Sequence, residues 1–165
     1  MSTTDVTGHN AGGTPSPQPG DMRMEVIVIP VSDVDRAKEF YGRLGWRLDA
    51  DVDRVDLRLL QYTPPGSLCS IQFGKDLTPA APGAFQSMYL VVPDLDAARQ
   101  DLVGRGVEVS EVFHEGTPGA RFSEMSSRVS GHAPEGATYG SFATFTDPDG
   151  NGWLLQEVTA RLPGR

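Results

Sequence analysis

The chain predicts an α+β fold, with paired βαβββ modules forming an open curved sheet around one cleft. Three observations carry that prediction. The β-branched run Met24–Val31 (MEVIVIPV) precedes an amphipathic segment with helix start and stop signals. The same strand-then-helix grammar restarts downstream. The two copies align without a gap at an offset of 61, setting Asp33 against Asp94, Asp35 against Asp96, Ala37 against Ala98 and Gly45 against Gly106. A unit that small has one sheet face to bury and is marginal alone, so the halves are expected to pack together.

Each element follows from local chemistry. Met24–Val31 reads as a largely buried strand. Ser32 or Asp33 can cap the helix DVDRAKEFYGRLG, in which Val34, Ala37, Tyr41 and Leu44 share one face and Gly45 suits a left-handed stop. Asp56–Tyr62 and Leu68–Phe73 read as strands around the turn Thr63-Pro64-Pro65-Gly66. In the second half, Ser87–Val92 is a strand and Asp94–Arg105 a helix ending at Gly106. Val107–Phe113 mirrors Trp46–Ala50, and Ser141–Thr146 and Gly152–Val158 complete the unit. Residues 1–22 are expected to be a disordered leader, 23–77 the first module, 84–158 the second, and 159–165 a C-terminal tail. Residues 114–139 form a long Gly-, Ser- and Pro-rich loop, the kind of connection that serves as a lid or stays unstructured.

Composition removes several classes of function. One cysteine, Cys69, excludes a disulfide framework and a cysteine-rich zinc site. No apolar run is long enough to span a membrane. A net charge of −8 without a basic patch argues against nucleic acid. The leader lacks the basic and apolar regions of a secretory signal, so the expected location is cytoplasmic. Only Lys38 and Lys75 of the 14 basic residues are lysines, a bias that hints at a GC-rich bacterial genome.

With the repeat in place, two motifs acquire meaning: V-S-D-x-D-R-A-x-x-F-Y-x-x-L-G at 31–45 and D-P-D-G-N at 147–151. Around an internal repeat they resemble the vicinal oxygen chelate superfamily of glyoxalases, bleomycin-resistance proteins and extradiol dioxygenases. The resemblance spans residues 24–158. It implies a homodimer and, in the metal-dependent members, four ligands. These are a His early on the first strand of each module, seven residues before the helix-opening Asp, and a Glu on each last strand. Here the corresponding positions hold Val26, Ser87 and Leu154, with Gln72 the nearest polar residue on the fourth strand of the first module. Such a set offers only weak neutral oxygens to a divalent cation. No cofactor is therefore expected. A metal remains open only through displaced ligands on the long loop, His114, Glu115, Glu124, His132 and Glu135. His9 reads as a solvated leader residue.

Strand parity places Val26, Val28, Ser70, Gln72, Ser87, Tyr89, Leu154 and Gln156 on the cleft-facing sides, with Arg58, Gln61, Tyr62, Phe113 and His114 at strand ends. Apolar walls with a few amides and hydroxyls suit reversible recognition of a small organic molecule. Cys69 is out of phase with Ser70 and Gln72. Phe40, Tyr41, Trp46 and Trp153 read as core, and Asp49–Arg58 as a solvated edge. Two functions are in play. One is a metal-free binder of the bleomycin-resistance type, taking an apolar or cationic ligand that an acidic surface would steer inward. The alternative is a superfamily enzyme of lyase, isomerase or dioxygenase type, with displaced metal ligands or with His114 as general acid/base and Glu115 beside it.

Overall fold

A computed structural model describes residues 18–117 and 127–163 of the chain. His9 and Glu124 lie outside them. The described residues form two open mixed sheets and two α-helices. The first sheet has strand order β1-β4-β3-β2, built from β1 (Val26–Val28), β2 (Arg47–Arg54), β3 (Leu57–Thr63) and β4 (Ser70–Gly74). The second has order β5-β9-β8-β6-β7, with β5 (Met88–Val92), β6 (Phe113–Glu115), β7 (Arg128–Ser130), β8 (Ser141–Thr146) and β9 (Gly152–Glu157). Each sheet has one parallel pair, β1 with β4 and β5 with β9, because a helical crossover returns the chain in the same direction.

Those crossovers are α1 (Val34–Arg43) and α2 (Leu95–Gly104). Asp33 and Asp94 cap them, their carboxylates accepting the N–H of Arg36 and Ala97 at 3.0 and 2.9 Å. Gly45 and Gly106 follow the helices at φ +76° and +78°, a conformation without steric cost only for glycine. The repeat in the sequence is therefore a repeat of caps and stops.

Two stretches depart from the expected pattern. No strand forms over residues 107–112; β6 begins only at Phe113. Ser110 shows why. Its carbonyl accepts from Arg99 Nε at 2.8 Å, and its hydroxyl, not its carbonyl, accepts the Thr144 N–H at 2.9 Å. Side chains thus take over ladder positions, and a continuous strand cannot propagate. Conversely, the segment 114–139 is not simply a loop. It supplies the end of β6, the hairpin partner β7 and a short 3-10 turn at Pro134–Gly136; residues 118–126 lie outside the described residues. The first strand is also shorter than the apolar run, although Glu25 and Ile29 still bond to β4 on either side of it.

One core serves both sheets. Ile71, Phe73, Leu60 and Tyr62 from the first, and Ala143, Phe145, Trp153 and Leu155 from the second, enclose Ala37, Phe40 and Tyr41 of α1 and Leu95 and Leu102 of α2. Tyr41 is fully buried at its centre, with ring centroids 5.4 Å from Phe73 and 6.3 Å from Trp153. Its hydroxyl donates to Asp147 Oδ2 at 2.9 Å and accepts from Trp153 Nε1 at 3.3 Å. Asp147 also accepts from the backbone N–H of Asp149 and Asn151, and from the Asn151 side chain, which donates in addition to the Pro30 carbonyl at 2.8 Å. The DPDGN turn is thereby bolted to the first strand and first helix. No helix among the described residues is long and apolar enough to cross a membrane.

Replacing Tyr41 by Phe leaves the buried Asp147 short of a donor and Trp153 Nε1 short of an acceptor. A loss of about 1–3 kcal/mol in urea-unfolding free energy is expected. Burial and the Asp147 carboxylate push the Tyr41 pKa well above the ordinary tyrosine value. The unfolded chain releases that proton near pH 10 while the folded one keeps it, so stability falls as pH rises above 10. Unfolding curves across that range should show a shallower decline in the Tyr41→Phe protein.

Candidate functional site

Period-two alternation divides each sheet into a core side and an outer side. On the first sheet the outer side carries Val26 and Val28 of β1 in register with Ser70 and Gln72 of β4, and Gln61 of β3 opposite Gln72. Their polar groups satisfy one another. Gln72 Nε2 donates to Gln61 Oε1 at 3.0 Å, and the Ser70 and Thr63 hydroxyls share a hydrogen bond of 2.7 Å, with Thr63 also donating to Asp49. Arg58 is not on this side. It shares the parity of Leu60 and Tyr62, and it pairs with Asp51 and, at 3.4 Å, with Asp35 of α1. Lys38 of α1 joins the same carboxylate at 2.7 Å, and these two cations hold the Asp51 carboxyl below its ordinary range.

On the second sheet the outer side is more apolar. Tyr89 of β5 stands opposite Leu154 of β9, and Leu154 opposite Thr144 of β8. Phe142 lies between Gln156 and Phe113 in register. Phe113, Phe142 and Leu154 form a small buried cluster of their own, separate from the main core, with the two phenyl centroids 5.8 Å apart. Arg128 of β7 lays its guanidinium over the Phe113 ring, 4.1 Å from the centroid, and stands in register opposite Glu115. Gln156 is buried and donates to the Tyr139 carbonyl at 2.9 Å.

A cavity of about 280 Å³ opens beside this cluster, lined by Gln86, Ser87, Arg128, Thr144, Phe145, Thr146, Gly152, Trp153 and Leu154. Of the residues expected from sequence it gathers Ser87 and Leu154; Val26, Val28, Ser70 and Gln72 stand on the other sheet. Ser87 precedes β5 and adopts φ +61°, a left-handed bend at the mouth. Gln86 donates to the Gly83 and Gly150 carbonyls at 2.9 and 2.8 Å, which holds its side chain against Gly152. A Cβ at Gly152 would lie 2.4 Å from Gln86 Oε1, so this wall admits only glycine without rearrangement. Sequence reasoning missed Gln86, Thr144, Thr146, Gly152 and Arg128. Thr144 was within reach, since it alternates with Phe142 along the expected strand. Arg128 lay in a stretch with no period to read.

The candidate histidines do not converge. His114 has the parity of Ser141, on the helix-facing side, opposite to Phe113 and Glu115. Its Nδ1 donates to the Gly131 carbonyl at 3.0 Å. His132 directs Nε2 to Asp96 at 3.0 Å and Nδ1 toward Glu157 at 3.7 Å. Glu157 in turn accepts the Leu95 N–H at the start of α2. Two carboxylates on opposite ring nitrogens leave no common point for a cation. Among the described residues no group of three His, Cys, Asp or Glu side chains could hold a metal ion. Cys69 is half-buried, and burial with the nearby Glu25 carboxylate pushes its thiol pKa up, away from nucleophilic character.

Comparisons with known proteins agree with this architecture. No curated protein matches the chain. Among solved structures, TnmS3, an antibiotic binding protein from Streptomyces sp. CB03234, is 30% identical with a TM-score of 0.61, and the match covers 84% of this chain and 98% of that one. A glyoxalase/bleomycin resistance protein from the same source is 31% identical, with a TM-score of 0.58 over 82% of this chain and 100% of that one. A superfamily member from Sphaerobacter thermophilus DSM 20745, at 23% identity and TM-score 0.55 over 83% and 98%, shares the fold. The family model of the Glyoxalase/Bleomycin resistance protein/Dioxygenase superfamily matches residues 23–155, and the chain belongs to that superfamily.

Proposed function

We propose that the protein binds a small organic molecule reversibly on the outer face of its second sheet, without a metal ion. The observation that carries this reading is the donor set. Where metal-dependent members place imidazoles and carboxylates, this chain has Val26, Gln72, Ser87 and Leu154, and the one amide among them is bonded to Gln61. Such donors do not fit a divalent cation. What stands there instead is a cavity with an apolar floor, two kinds of hydroxyl and a guanidinium, the composition of a recognition site. The resemblance to an antibiotic binding protein at 30% identity supports binding over turnover. The enzyme alternative asks His114 to meet the ligand, whereas its register turns it away from Phe113 and Leu154.

The reading extends to a second copy of the chain. Because both sheets give their inner sides to one core, their outer sides face away from each other within a chain. A second copy laying its first-sheet face over this second-sheet face would roof the cavity with Val26, Val28, Gln61 and Gln72. That is the homodimer proposed here.

Calorimetric titration with Zn²⁺, Ni²⁺, Mn²⁺ and Fe²⁺ should show no saturable one-per-cleft binding; a tight stoichiometric ion would overturn the metal-free reading. A thermal-shift screen of natural products should find a stabilising ligand, worth about 2.7 kcal/mol at a hundredfold excess over its Kd. Light scattering should return twice the mass of one chain at micromolar concentration, and a monomer at all concentrations would remove the roofed cleft.

A further inference from the structure

A second cavity, of about 200 Å³, lies on the core side of the second sheet against α2. Its floor is the common core: Phe145 and Leu155 of the sheet, Leu102 of α2 and Trp46, each less than a tenth exposed. Leu44, Trp46 and the Pro64-Pro65 turn come from the first half of the chain, and Leu90 and Ala98 from the second. The cavity therefore spans the junction of the two halves. Its mouth lies at a sheet edge. Among the described residues β5 pairs with β9 alone, and Val91, which borders the mouth, is 45% exposed. A small molecule can enter past this edge without parting the core.

The internal repeat shows what fills the corresponding space on the other helix. At the offset of 61, Phe40 and Tyr41 of α1 stand against Asp101 and Leu102 of α2. Both α1 rings are buried, with centroids 5.2 Å apart in an edge-to-face contact. On α2 the aromatic ring of Phe40 is replaced by a carboxylate that turns along the helix to Arg105, accepting from its Nε at 2.7 Å. Ala37 and Ala98 also correspond. Ala37 is packed in the core, whereas Ala98 gives only a methyl group to the cavity wall. The second helix thus presents a smaller surface, and the volume beside it is open.

Protein interiors leave few gaps larger than a water molecule. Water is a poor tenant of aliphatic and aromatic walls, since a buried water needs two to four polar partners. A dry cavity of about 150 Å³ lined by leucine, isoleucine and phenylalanine takes benzene. We propose that this cavity is a second ligand site, distinct from the one on the outer face, and that it takes a compact uncharged aromatic ring. The ring stands where the repeat carries a phenylalanine. A charged group on it would lose its hydration against the core floor. Because both halves supply walls, an occupant that binds only the folded chain raises its stability.

Backbone amide chemical shifts distinguish the two cavities during titration with toluene, benzoate and benzylammonium. Toluene is expected to shift the amides of Val91, Ala98 and Leu102 saturably, and each charged ring to bind there about tenfold or more weakly. Ala98→Leu places an isobutyl group in the cavity on an equally good helix former. It should raise Tm by about 2–4 °C and weaken toluene binding about tenfold or more. Asp101→Phe, which restores the ring of the repeat, should weaken toluene likewise and serves where Ala98→Leu does not fold. Four results overturn the proposal: no saturable shift at those three amides, toluene shifts confined to Ser87 and Thr144 of the outer-face cavity, a charged ring that binds as tightly as toluene, or undiminished toluene affinity in a folded variant. A ligand found for the outer face leaves each of these results just as decisive.

Discussion

The buried carboxylate of Asp147 governs the geometry of everything else. A carboxylate in an apolar core is unfavourable unless donors surround it, and four supply that need: the Tyr41 hydroxyl, the backbone N–H groups of Asp149 and Asn151, and the Asn151 side-chain amide. Two of its links cross from one half of the chain to the other. Tyr41 comes from the first helix, and Asn151 reaches the Pro30 carbonyl at the end of the first strand. The halves are consequently locked through directional bonds, and the surrounding rings of Trp46, Tyr62, Phe73 and Trp153 fill the space those bonds define. Dispersion and burial supply the larger share of stability, but they do not choose an orientation. The polar network does.

That orientation has a functional consequence. By turning the inner sides of both sheets toward one core, it sends the outer sides apart. The two faces also differ in kind. The outer face of the first sheet is a set of polar groups closed on themselves, Gln61 with Gln72 and Ser70 with Thr63, flanked by Val26 and Val28. The outer face of the second sheet is a ring column with a cavity beside it. A face whose polar groups are already paired can cover a ligand without desolvation cost, whereas a face with a guanidinium and hydroxyls can read one. In the proposed dimer, roof and floor would therefore differ in composition, one set of paired amides and hydroxyls over another face of rings.

Much of this was legible in the sequence, for identifiable reasons. Helix caps at Asp33 and Asp94 and stops at Gly45 and Gly106 are local chemistry, and local chemistry reads without a structure. Strand parity placed Leu154, Gln156 and Tyr89 on one face because β5 and β9 are regular. It failed where regularity fails. Arg58 is expected at the cleft as a strand-end residue, but its parity with Leu60 and Tyr62 and its pairing with Asp51 carry it toward α1. His114 is the sequence's best acid/base candidate because imidazole chemistry suits neutral pH, yet in β6 it points to the face opposite Phe113. Ser110 ended a strand with its side chain, and β7 arose in a stretch without period; neither is visible without tertiary contacts. Arg128 belongs to that last group, which is why this charged residue of the described lining was the one least accessible to sequence reasoning.

The distribution of paired polar groups bears on binding against catalysis. Proton transfer needs a titratable group that meets the ligand and is free to change charge. Of the titratable groups on the second sheet, Glu115 shares the face of Phe113 and stands opposite Arg128, while His132 lies between Asp96 and Glu157, His114 bonds the Gly131 carbonyl from the far side, and Glu157 caps the N–H of Leu95. These contacts tie the segment before β8 to α2 and β9, so they serve to hold the sheet's shape. Among the described residues, the cavity lining offers a guanidinium, hydroxyls and rings, groups that recognise and orient without exchanging protons at neutral pH. A permanently charged guanidinium cannot act as a base, and a thiol raised by burial is a poor nucleophile. On the proposed reading, recognition falls to the rings and hydroxyls of that lining, with Arg128 stacked on Phe113 beside them.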